Sequence, residues 1–292
     1  MDKPKTYRRL LMGATLGGGA LLSGLTYARE VEPYWVAIER VTLTLPRLAP
    51  PFDGYRIVQI SDIHLDGWMT PERLESIVDL VNEQEPDLVA ITGDFVAVSA
   101  DYISGLVGPL SRLRATDGAV AVLGNHDHLN DAEAVRRALS RAGVVDVGNA
   151  VHTLRRDGAA LNLCGVDSVM EGFDRLDEVI YTLQDEEPGC AVLLAHEPDF
   201  ADKSAATGRF DLQLSGHSHG GQVRIPFLGS PLVRLLPLLG ASFVPPLIYK
   251  YPRGLYRVGG MYQYTNRGLG VVYARFRLNC RPEVTVFTLR AP

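Results

Sequence analysis

Cysteine is scarce in this sequence, and its three copies lie far apart from one another. Cys164, Cys190 and Cys280 stand in apolar, strand-like runs and form no closely spaced pair. This spacing argues against a disulfide framework and a cysteine-based zinc site, and it leaves the redox compartment undecided. We expect all three to be small buried side chains.

The sequence also lacks an excess of positive charge. Lys and Arg total 29 against 34 Asp and Glu, which gives a net charge of −5. Because a nucleic-acid-binding protein needs a basic face, we expect no nucleic-acid partner. The hydrophobic share of 46% in 292 residues is sufficient for a substantial core.

Charged residues are absent from Leu10 to Tyr27, directly after a short basic start that includes Arg8 and Arg9. This order is typical of an export signal, and adjacent arginines favour the twin-arginine export machinery. An uncleaved inner-membrane anchor is the alternative, although about eighteen residues are marginal for a span. We predict a signal or anchor over residues 1–29, with the catalytic part outside the cytoplasm or associated with the membrane.

Apolar runs alternate with helix-like segments after a lead-in over residues 30–54, in which we expect one strand at Val41–Leu45. We predict one catalytic domain over residues 55–292, with an α/β fold in which helices flank two packed sheets. The expected strands are Tyr55–Ile60, Asp87–Thr92, Ala119–Leu123, Cys190–Ala195, Asp211–Leu214, Arg257–Tyr264 and Val284–Leu289, with a hairpin around Asp157-Gly158. One helix is expected to begin at Pro71 with Thr70 as its N-cap. Further helices are expected at Ile103–Leu113, at Asp131–Ala142, where Gly143 would end the helix, and at Leu176–Leu183.

Six of the seven histidines lie in short polar clusters that follow these strand-like runs. The clusters are Asp62-Ile-His64, Gly93-Asp94, Gly124-Asn125-His126-Asp127-His128, His196, and Gly216-His217-Ser218-His219-Gly220-Gly221. The first three recur about every thirty residues, which is one strand-helix repeat, so each can end a different parallel strand. His152 has no such surroundings, and we interpret it as a structural residue.

Carboxylate and amide oxygens mixed with imidazole nitrogens are the ligands of divalent first-row metals. Asp62 and His64 are two residues apart, as are His217 and His219, so in extended segments each pair would project to one side. Asp-x-His, Gly-Asp and a lone His196 are weak signals, whereas Gly-Asn-His-Asp and Gly-His-Ser-His-Gly-Gly are individually stronger. Together they offer about seven ligands, which suits two metals roughly 3.5–4 Å apart rather than one tetrahedral ion.

Over Asp62 to about Gln222 the motifs resemble those of the calcineurin-like metallophosphoesterases, in the branch that contains exported bacterial phosphoesterases and a UDP-diacylglucosamine pyrophosphatase. The resemblance implies a four-layer α/β/β/α sandwich. It also implies that Asp62, His64, Asp94 and His219 bind a first metal, that Asp94 bridges, and that Asn125, His196 and His217 bind a second. His126 would be the catalytic histidine near the leaving group, and Asp127 would orient it.

The implied chemistry is hydrolysis of a phosphoester. A metal lowers the pKa of a bound water from 15.7 towards roughly 7, which provides a hydroxide nucleophile, and protonated His126 would supply the proton of the leaving group. Phosphoprotein phosphatases of this superfamily continue the Gly-Asp motif with Asp-Arg-Gly, whereas Phe95-Val96-Ala97 follows here. The missing arginine favours phosphodiesters or pyrophosphates. His128 could touch the substrate or only its surroundings.

The segment Val223–Ile248 is strongly apolar and rich in proline, and the prolines exclude a membrane-spanning helix. It could be a hydrophobic lip for acyl chains or a membrane surface, with Lys250, Arg253 and Arg257 at headgroup level, or an ordinary connection packed on the sheets.

We therefore predict a phosphoesterase with two divalent metals, Mn, Fe, Zn or Co, acting on a phosphodiester or pyrophosphate. A lipid-linked substrate such as UDP-diacylglucosamine, as in lipid A synthesis, is a specific candidate, although nucleotide-linked sugars are cytoplasmic. The alternatives are a phosphomonoesterase, a non-catalytic metal-binding scaffold, and a membrane-associated lipid-binding protein with structural metals.

Overall fold

The computed structural model describes residues 18–19, 22–185, 189–224, 249–272 and 274–292. These residues form an α/β fold with two mixed sheets of six strands each. The first sheet has the order β1 (Ala37–Thr44), β12 (Glu283–Arg290), β2 (Arg56–Ile60), β3 (Leu88–Thr92), β4 (Ala119–Val122) and β5 (Val144–Asp146). The second has the order β10 (Gly254–Val258), β11 (Met261–Thr265), β9 (Leu212–Ser215), β8 (Cys190–Leu194), β7 (Ala159–Gly165) and β6 (Ala150–Arg156).

The described part of the chain also forms helices. They are α1 (residues 22–30), α2 (Pro71–Asn82), α3 (Val107–Leu110), α4 (Asn125–Asn130), α5 (Ala132–Ala142), α6 (Leu176–Asp185) and α7 (Ala201–Ala206). Short 3₁₀ turns cover Glu32–Tyr34, Pro50–Phe52, Ala100–Leu106, Pro198–Phe200 and His219–Gly221.

Three apolar clusters hold the layers together. Leu88 of the first sheet and Leu212 of the second share a buried cluster, so the two sheets pack face to face. Leu74 of α2 lies in a second cluster with residues of the first sheet, and Val179 of α6 in a third with Leu193 of the second sheet. Helices therefore cover both outer faces, and the arrangement has four layers.

Several local predictions are confirmed with their stated causes. Thr70 caps α2, because its side chain accepts the backbone N–H of Arg73. Gly143 ends α5 with a left-handed φ of 77°. The hairpin of β6 and β7 turns at Asp157 and Gly158, which both have positive φ.

Two elements differ from the prediction. The helix expected over Ile103–Leu113 is a 3₁₀ turn followed by the four-residue α3, in a stretch that contains two glycines and Pro109. The strand expected over Arg257–Tyr264 is instead a hairpin of β10 and β11, because Gly259 and Gly260 reverse the chain.

The strand in the lead-in is longer than expected. The strand predicted at Val41–Leu45 is β1, which begins at Ala37 and pairs with β12 at the edge of the first sheet. One residue of the predicted signal or anchor, Ala28, and one of the lead-in, Glu32, also contact the C-terminal part of the chain. Ala28 is buried and its carbonyl accepts the Arg277 N–H at 2.8 Å, and the buried Glu32 carboxylate accepts the Cys280 N–H.

In the described ranges, no helix is both long enough and apolar enough to cross a membrane. The twin-arginine pair and most of the predicted signal, at residues 1–17, lie outside the described residues, as do residues 225–248 of the apolar segment. All three cysteines are buried and free, as expected.

Candidate metal centre and active site

Five strands deliver the polar clusters to one region between the sheets. β2, β3 and β4 run parallel, and so do β8 and β9 in the second sheet. The carboxyl ends of parallel strands lie at the same edge of a sheet, where ligand sites of α/β folds form. This confirms that each of the first three clusters ends a different parallel strand.

Asp62, His64 and His219 form one group of possible metal ligands. The Nε2 atoms of His64 and His219 lie 3.0 Å apart, and Asp62 Oδ1 lies 3.4 Å from His219 Nε2. All three side chains are almost fully buried. Residues that are 155 positions apart in the sequence therefore present nitrogen and oxygen atoms to one point.

Asp94, His196 and His217 form a second group beside the first. Asp94 Oδ2 lies 3.1 Å from His196 Nε2, and His217 Nδ1 lies 3.2 Å from that same nitrogen. His196 Nδ1 lies 2.6 Å from the Thr92 carbonyl, so it carries the proton and donates it. This bond fixes the tautomer and leaves His196 Nε2 free for a cation.

The Asp94 carboxylate contacts both groups. Its Oδ2 lies 3.4 Å from His64 Nε2 as well as 3.1 Å from His196 Nε2. Asn125 is also buried, and its Oδ1 atom has no hydrogen-bond partner among the described residues. An unpartnered buried amide oxygen is costly, and a bound cation would satisfy it.

The electrostatics of the site favour bound cations. Burial lowers the pKa of His64 to about 3 and that of His217 to about 4, so both are neutral, as metal-ligating histidines must be. Burial, opposed by His196 and reinforced by Asp94, raises the pKa of Asp62 to about 6. Burial also disfavours charge on His196, but neighbouring Asp94 raises its pKa well above the usual value. Two close, buried carboxylates thus require positive charge beside them.

Backbone conformation, rather than strand alternation, brings the paired ligands together. Asp62, His64, His217 and His219 all have φ between 49° and 65°, and so does Asp94 at 56°. The prediction that the pairs project from extended segments is therefore wrong. Asp62 and His64 do converge in one ligand group, whereas His217 and His219 lie in different groups. Left-handed backbone costs energy in residues other than glycine and is typical of functional sites.

His126 lies at the edge of both groups. Its ring meets that of His64 edge-to-face with centroids 4.8 Å apart, and a third possible ligand group combines it with His64 and Asp94. Its backbone N–H donates to Asp94 Oδ1, and its Nδ1 lies 2.6 Å from the Ala97 carbonyl. Nδ1 therefore carries a proton that Ala97 accepts, which leaves Nε2 for substrate or metal.

Asp127 is expected to orient His126, and that role stays a prediction. The Asp127 carboxylate accepts four backbone N–H groups, from Gly124, Asp94, Phe95 and Val96. In the described part of the chain, none of its hydrogen bonds reaches the imidazole. Asp127 therefore joins the loops after β3 and β4 through their backbone.

The loop after β9 lies so close to Ser61 and Asp62 that position 216 must be glycine. A Cβ atom there would lie 1.9 Å from Ser61 Oγ and 2.3 Å from Asp62 Oδ2. With hydrogen as its side chain, the loop after β9 can reach Asp62, whose carboxylate accepts the His217 N–H at 2.9 Å.

Sequence reasoning missed two residues that contact or support this site. The Tyr249 hydroxyl lies 2.9 Å from His217 Nε2, on the ring edge opposite the Nδ1 atom that faces His196. Arg277 is fully buried, and its guanidinium donates to the backbone carbonyls of Arg267, Gly268, Gly270 and Cys280. No motif marked Arg277. An aromatic residue next to the apolar segment was the only signal for Tyr249.

The Arg277 contacts hold a loop against the first ligand group. Leu269 N–H donates to the Ser61 carbonyl and Gly270 N–H to the Asp62 carbonyl, at 3.0 and 2.7 Å. Arg277 therefore fixes the backbone that carries Asp62.

The two remaining histidines lie outside the ligand groups. His128 Nε2 lies 2.6 Å from Asp167, its ring stacks on Phe173, and Arg136 pairs with the other oxygen of Asp167. His152 is on β6, where it pairs with Leu163. His128 is thus held by Asp167, and His152 lies on a strand away from the ligand groups.

Comparison with known proteins gives a consistent result. A sequence model of the calcineurin-like phosphoesterases matches residues 55–221, more than half of the chain. The chain is 35% identical over 297 residues to the uncharacterized metallophosphoesterase YkuE of Bacillus subtilis, covering 99% of each protein. It is 29% identical over 296 residues to the phosphodiesterase YaeI of Escherichia coli, covering 97% of this chain and 98% of the relative. A bovine transmembrane protein with metallophosphoesterase domain is 30% identical over 270 residues, which are 87% of this chain and 57% of that protein.

Proposed function

The chain belongs to the calcineurin-like phosphoesterase family and is a hydrolase of phosphoric esters, and from this premise we propose that it cleaves phosphodiesters or pyrophosphates with two divalent metals. One observation carries the proposal: two groups of nitrogen and oxygen ligands lie side by side and share contacts with Asp94. The name of the phosphodiesterase relative agrees with this reaction class.

The residues present fit a pair of cations. Asp62, His64 and His219 would hold one metal and Asn125, His196 and His217 the other, with Asp94 between them. The support is the unpartnered Asn125 oxygen, the neutral form of buried His64 and His217, and the mutual repulsion of two buried carboxylates. When bound, such metals act as Lewis acids on the phosphoryl oxygens and increase the acidity of the attacking water. Mn, Fe, Zn and Co all accept this ligand set.

His126 would deliver the proton that the leaving oxygen needs. Its Nδ1–H is held by the Ala97 carbonyl, so the ring cannot rotate freely and Nε2 can exchange a proton with the substrate. Such general acid catalysis contributes on the order of 10²–10⁴ in rate.

Hydrolysis of bis(4-nitrophenyl) phosphate by the purified chain, after removal and return of single metals, tests the proposal. We expect turnover with at least one of Mn, Fe, Zn and Co. His126→Ala should lose at least about 10²-fold in kcat while elemental analysis still finds two metals. His152→Ala is the matched control and should retain full activity.

Full metal occupancy without turnover of any phosphodiester or pyrophosphate would refute the enzymatic proposal and favour a lipid-binding protein with structural metals. Loss of a metal in His126→Ala would make His126 a ligand. Preference for 4-nitrophenyl phosphate over the diester would identify a phosphomonoesterase.

We also propose an amphiphilic substrate. Val98, Met170 and Phe173 lie on loops that follow β3 and β7, Leu129 lies on α4, and between 40% and 79% of each side chain is exposed. Apolar side chains around a polar site suit a substrate with a lipid part. Comparing a short-chain with a long-chain phosphodiester, and with UDP-diacylglucosamine, tests this point. Equal kcat/KM for both chain lengths would contradict it.

We propose that the protein is exported or membrane-associated through its N-terminal segment. The support is the twin-arginine sequence, the exposed Leu22 and Leu25 of α1, and the name of the bovine relative. Replacing Arg8 and Arg9 by lysine should retain the protein in the cytoplasm, whereas Arg29→Lys should not. Unchanged fractionation of the double variant would contradict the twin-arginine route. The N-terminal residue of the exported protein, read by mass spectrometry, decides between signal and anchor.

A further inference from the structure

A pocket of about 260 Å³ opens beside His126 and was not assigned by any motif. Its walls are largely apolar, and the lining residues are Asp66, Ala97, Val98, His126, Val271, Val272, Ala274 and Arg275. None of the seven expected metal ligands lines it. It is therefore a separate space on the His126 side of the site.

Arg275 is the unusual member of this lining. Two nearby arginines are fully engaged, since Arg277 donates to backbone carbonyls and Arg267 pairs with Glu39 and Glu283. Arg275 is exposed, and among the residues that the structure describes it forms no hydrogen bond or ion pair. A guanidinium without a partner at the edge of an apolar pocket can bind an anion of the ligand.

The only carboxylate of the lining does not cancel this charge. Asp66 Oδ1 accepts the backbone N–H groups of Trp68 and Met69 at 2.7 and 2.6 Å. Its charge is thus partly compensated by its own loop, and no ion pair joins it to Arg275 in the described structure.

The backbone beneath the pocket is held by Gln222. Its side-chain amide donates to the carbonyls of Val272 and Ala274, and its oxygen accepts the Val272 N–H. Gln222 follows the loop of His219, so the pocket wall and the ligand loop are tied together. The wall that carries Arg275 is therefore positioned relative to the metal ligands.

We propose that this pocket binds the leaving group of the substrate and that Arg275 binds an anionic substituent on that group. The inference rests on the proposed function. A proton donor must reach the leaving oxygen, so the leaving group must occupy the space that His126 lines. Water supplies the new oxygen on phosphorus, the bond from phosphorus to the leaving oxygen breaks, and the proton of His126 passes to that oxygen. The substrate class is a phosphodiester whose leaving group has an apolar body and a carboxylate or phosphate.

Two methyl aryl phosphodiesters test the assignment. Their nitrophenolate leaving groups are identical except that one carries a carboxylate and the other its methyl ester. The metal-loaded chain should prefer the carboxylate substrate in kcat/KM, and added salt should reduce the preference. Arg275→Gln should lower this preference about five- to tenfold, mainly through KM, because one charge-assisted contact at an exposed site is lost.

Two control variants distinguish a loss of the Arg275 contact from a general loss of activity. Arg275→Lys should retain part of the preference, and Arg141→Gln, an exposed arginine on α5, should retain all of it. An unchanged preference in an active Arg275→Gln protein overturns the inference and leaves the proposed function intact. An equal loss with both substrates would also overturn it, since Arg275 would then act on the common phosphate or on the fold. No hydrolysis of either substrate by the parent chain refutes the proposed function itself.

Discussion

Gly216→Ala is the smallest change that should disable the site. The added Cβ would lie 1.9 Å from Ser61 Oγ, whereas ordinary contacts begin at 3.4 Å. One of the two loops must therefore move by about 1.5 Å, and the nearest functional atom is Asp62 Oδ2 at 2.3 Å. Because Ser61 and Asp62 are buried, the strain cannot be relieved towards solvent.

The magnitude follows from this displacement. A shift of about 1 Å in a positioned catalytic group costs on the order of 10²-fold in rate, and overpacking of this kind costs about 1–3 kcal/mol of stability. We expect Gly216→Ala to lose at least about 10²-fold in kcat/KM for bis(4-nitrophenyl) phosphate and to bind metal more weakly.

The assay combines diesterase kinetics, metal titration and urea unfolding. Gly108→Ala is the matched control, because a Cβ at Gly108 in α3 meets nothing within 4 Å. It should be active and equally or slightly more stable. If Gly216→Ala keeps its metals and its activity within about twofold, the close approach of the two loops is not a requirement of the site.

Three further predictions concern separate parts of the structure. Asp127→Asn should lower the free energy of unfolding by about 1–3 kcal/mol, because two of the four backbone N–H donors lose an acceptor. Asp131 caps α5 through one N–H, so the control Asp131→Asn should lower it by less than about 1 kcal/mol. A loss of kcat in Asp127→Asn without any change in urea unfolding would instead indicate a direct role on His126. Asn125→Ala should bind one metal fewer by elemental analysis, and two retained metals would remove it from the ligands. Burial and hydrogen bonding to Asp117 raise the pKa of Tyr55 far above 10. The contribution of Tyr55 to the free energy of unfolding is therefore complete below pH 10 and falls by about 1.4 kcal/mol per pH unit above it. Tyr55→Phe should reduce this pH dependence in urea titrations, and an unchanged dependence would contradict the assignment.

Local patterns were sufficient for much of the fold. The Thr70-Pro71 helix start and the Asp157-Gly158 hairpin depend on neighbours in sequence, so the residues themselves predict them. The prediction failed where local preference was weak, as in the glycine- and proline-containing segment before Leu110. The prediction also treated β10 and β11 as one strand, because the Gly259-Gly260 turn lies between two short strand-like segments.

The candidate ligands were predictable because they are polar residues that follow buried strands. Their residue types also indicated the kind of metal. The backbone contacts of Asp127 were not predictable, since its four donors come from two loops and only the folded backbone shows where they point. Arg277 and Tyr249 were missed for the same reason, because each acts through a contact with a distant segment.

The sequence by itself determined which side chains stand at the ends of buried strands, because apolar periodicity and polar clusters are local properties. Only the tertiary structure decided how these ends combine. The order of β2, β3 and β4 in one sheet and β8 and β9 in the other brings His64 to His219 and Asp94 to His196, across 155 and about 100 positions of chain. The same packing creates the pocket between His126 and Arg275, because contacts between distant residues depend on how the layers pack and no local pattern contains them.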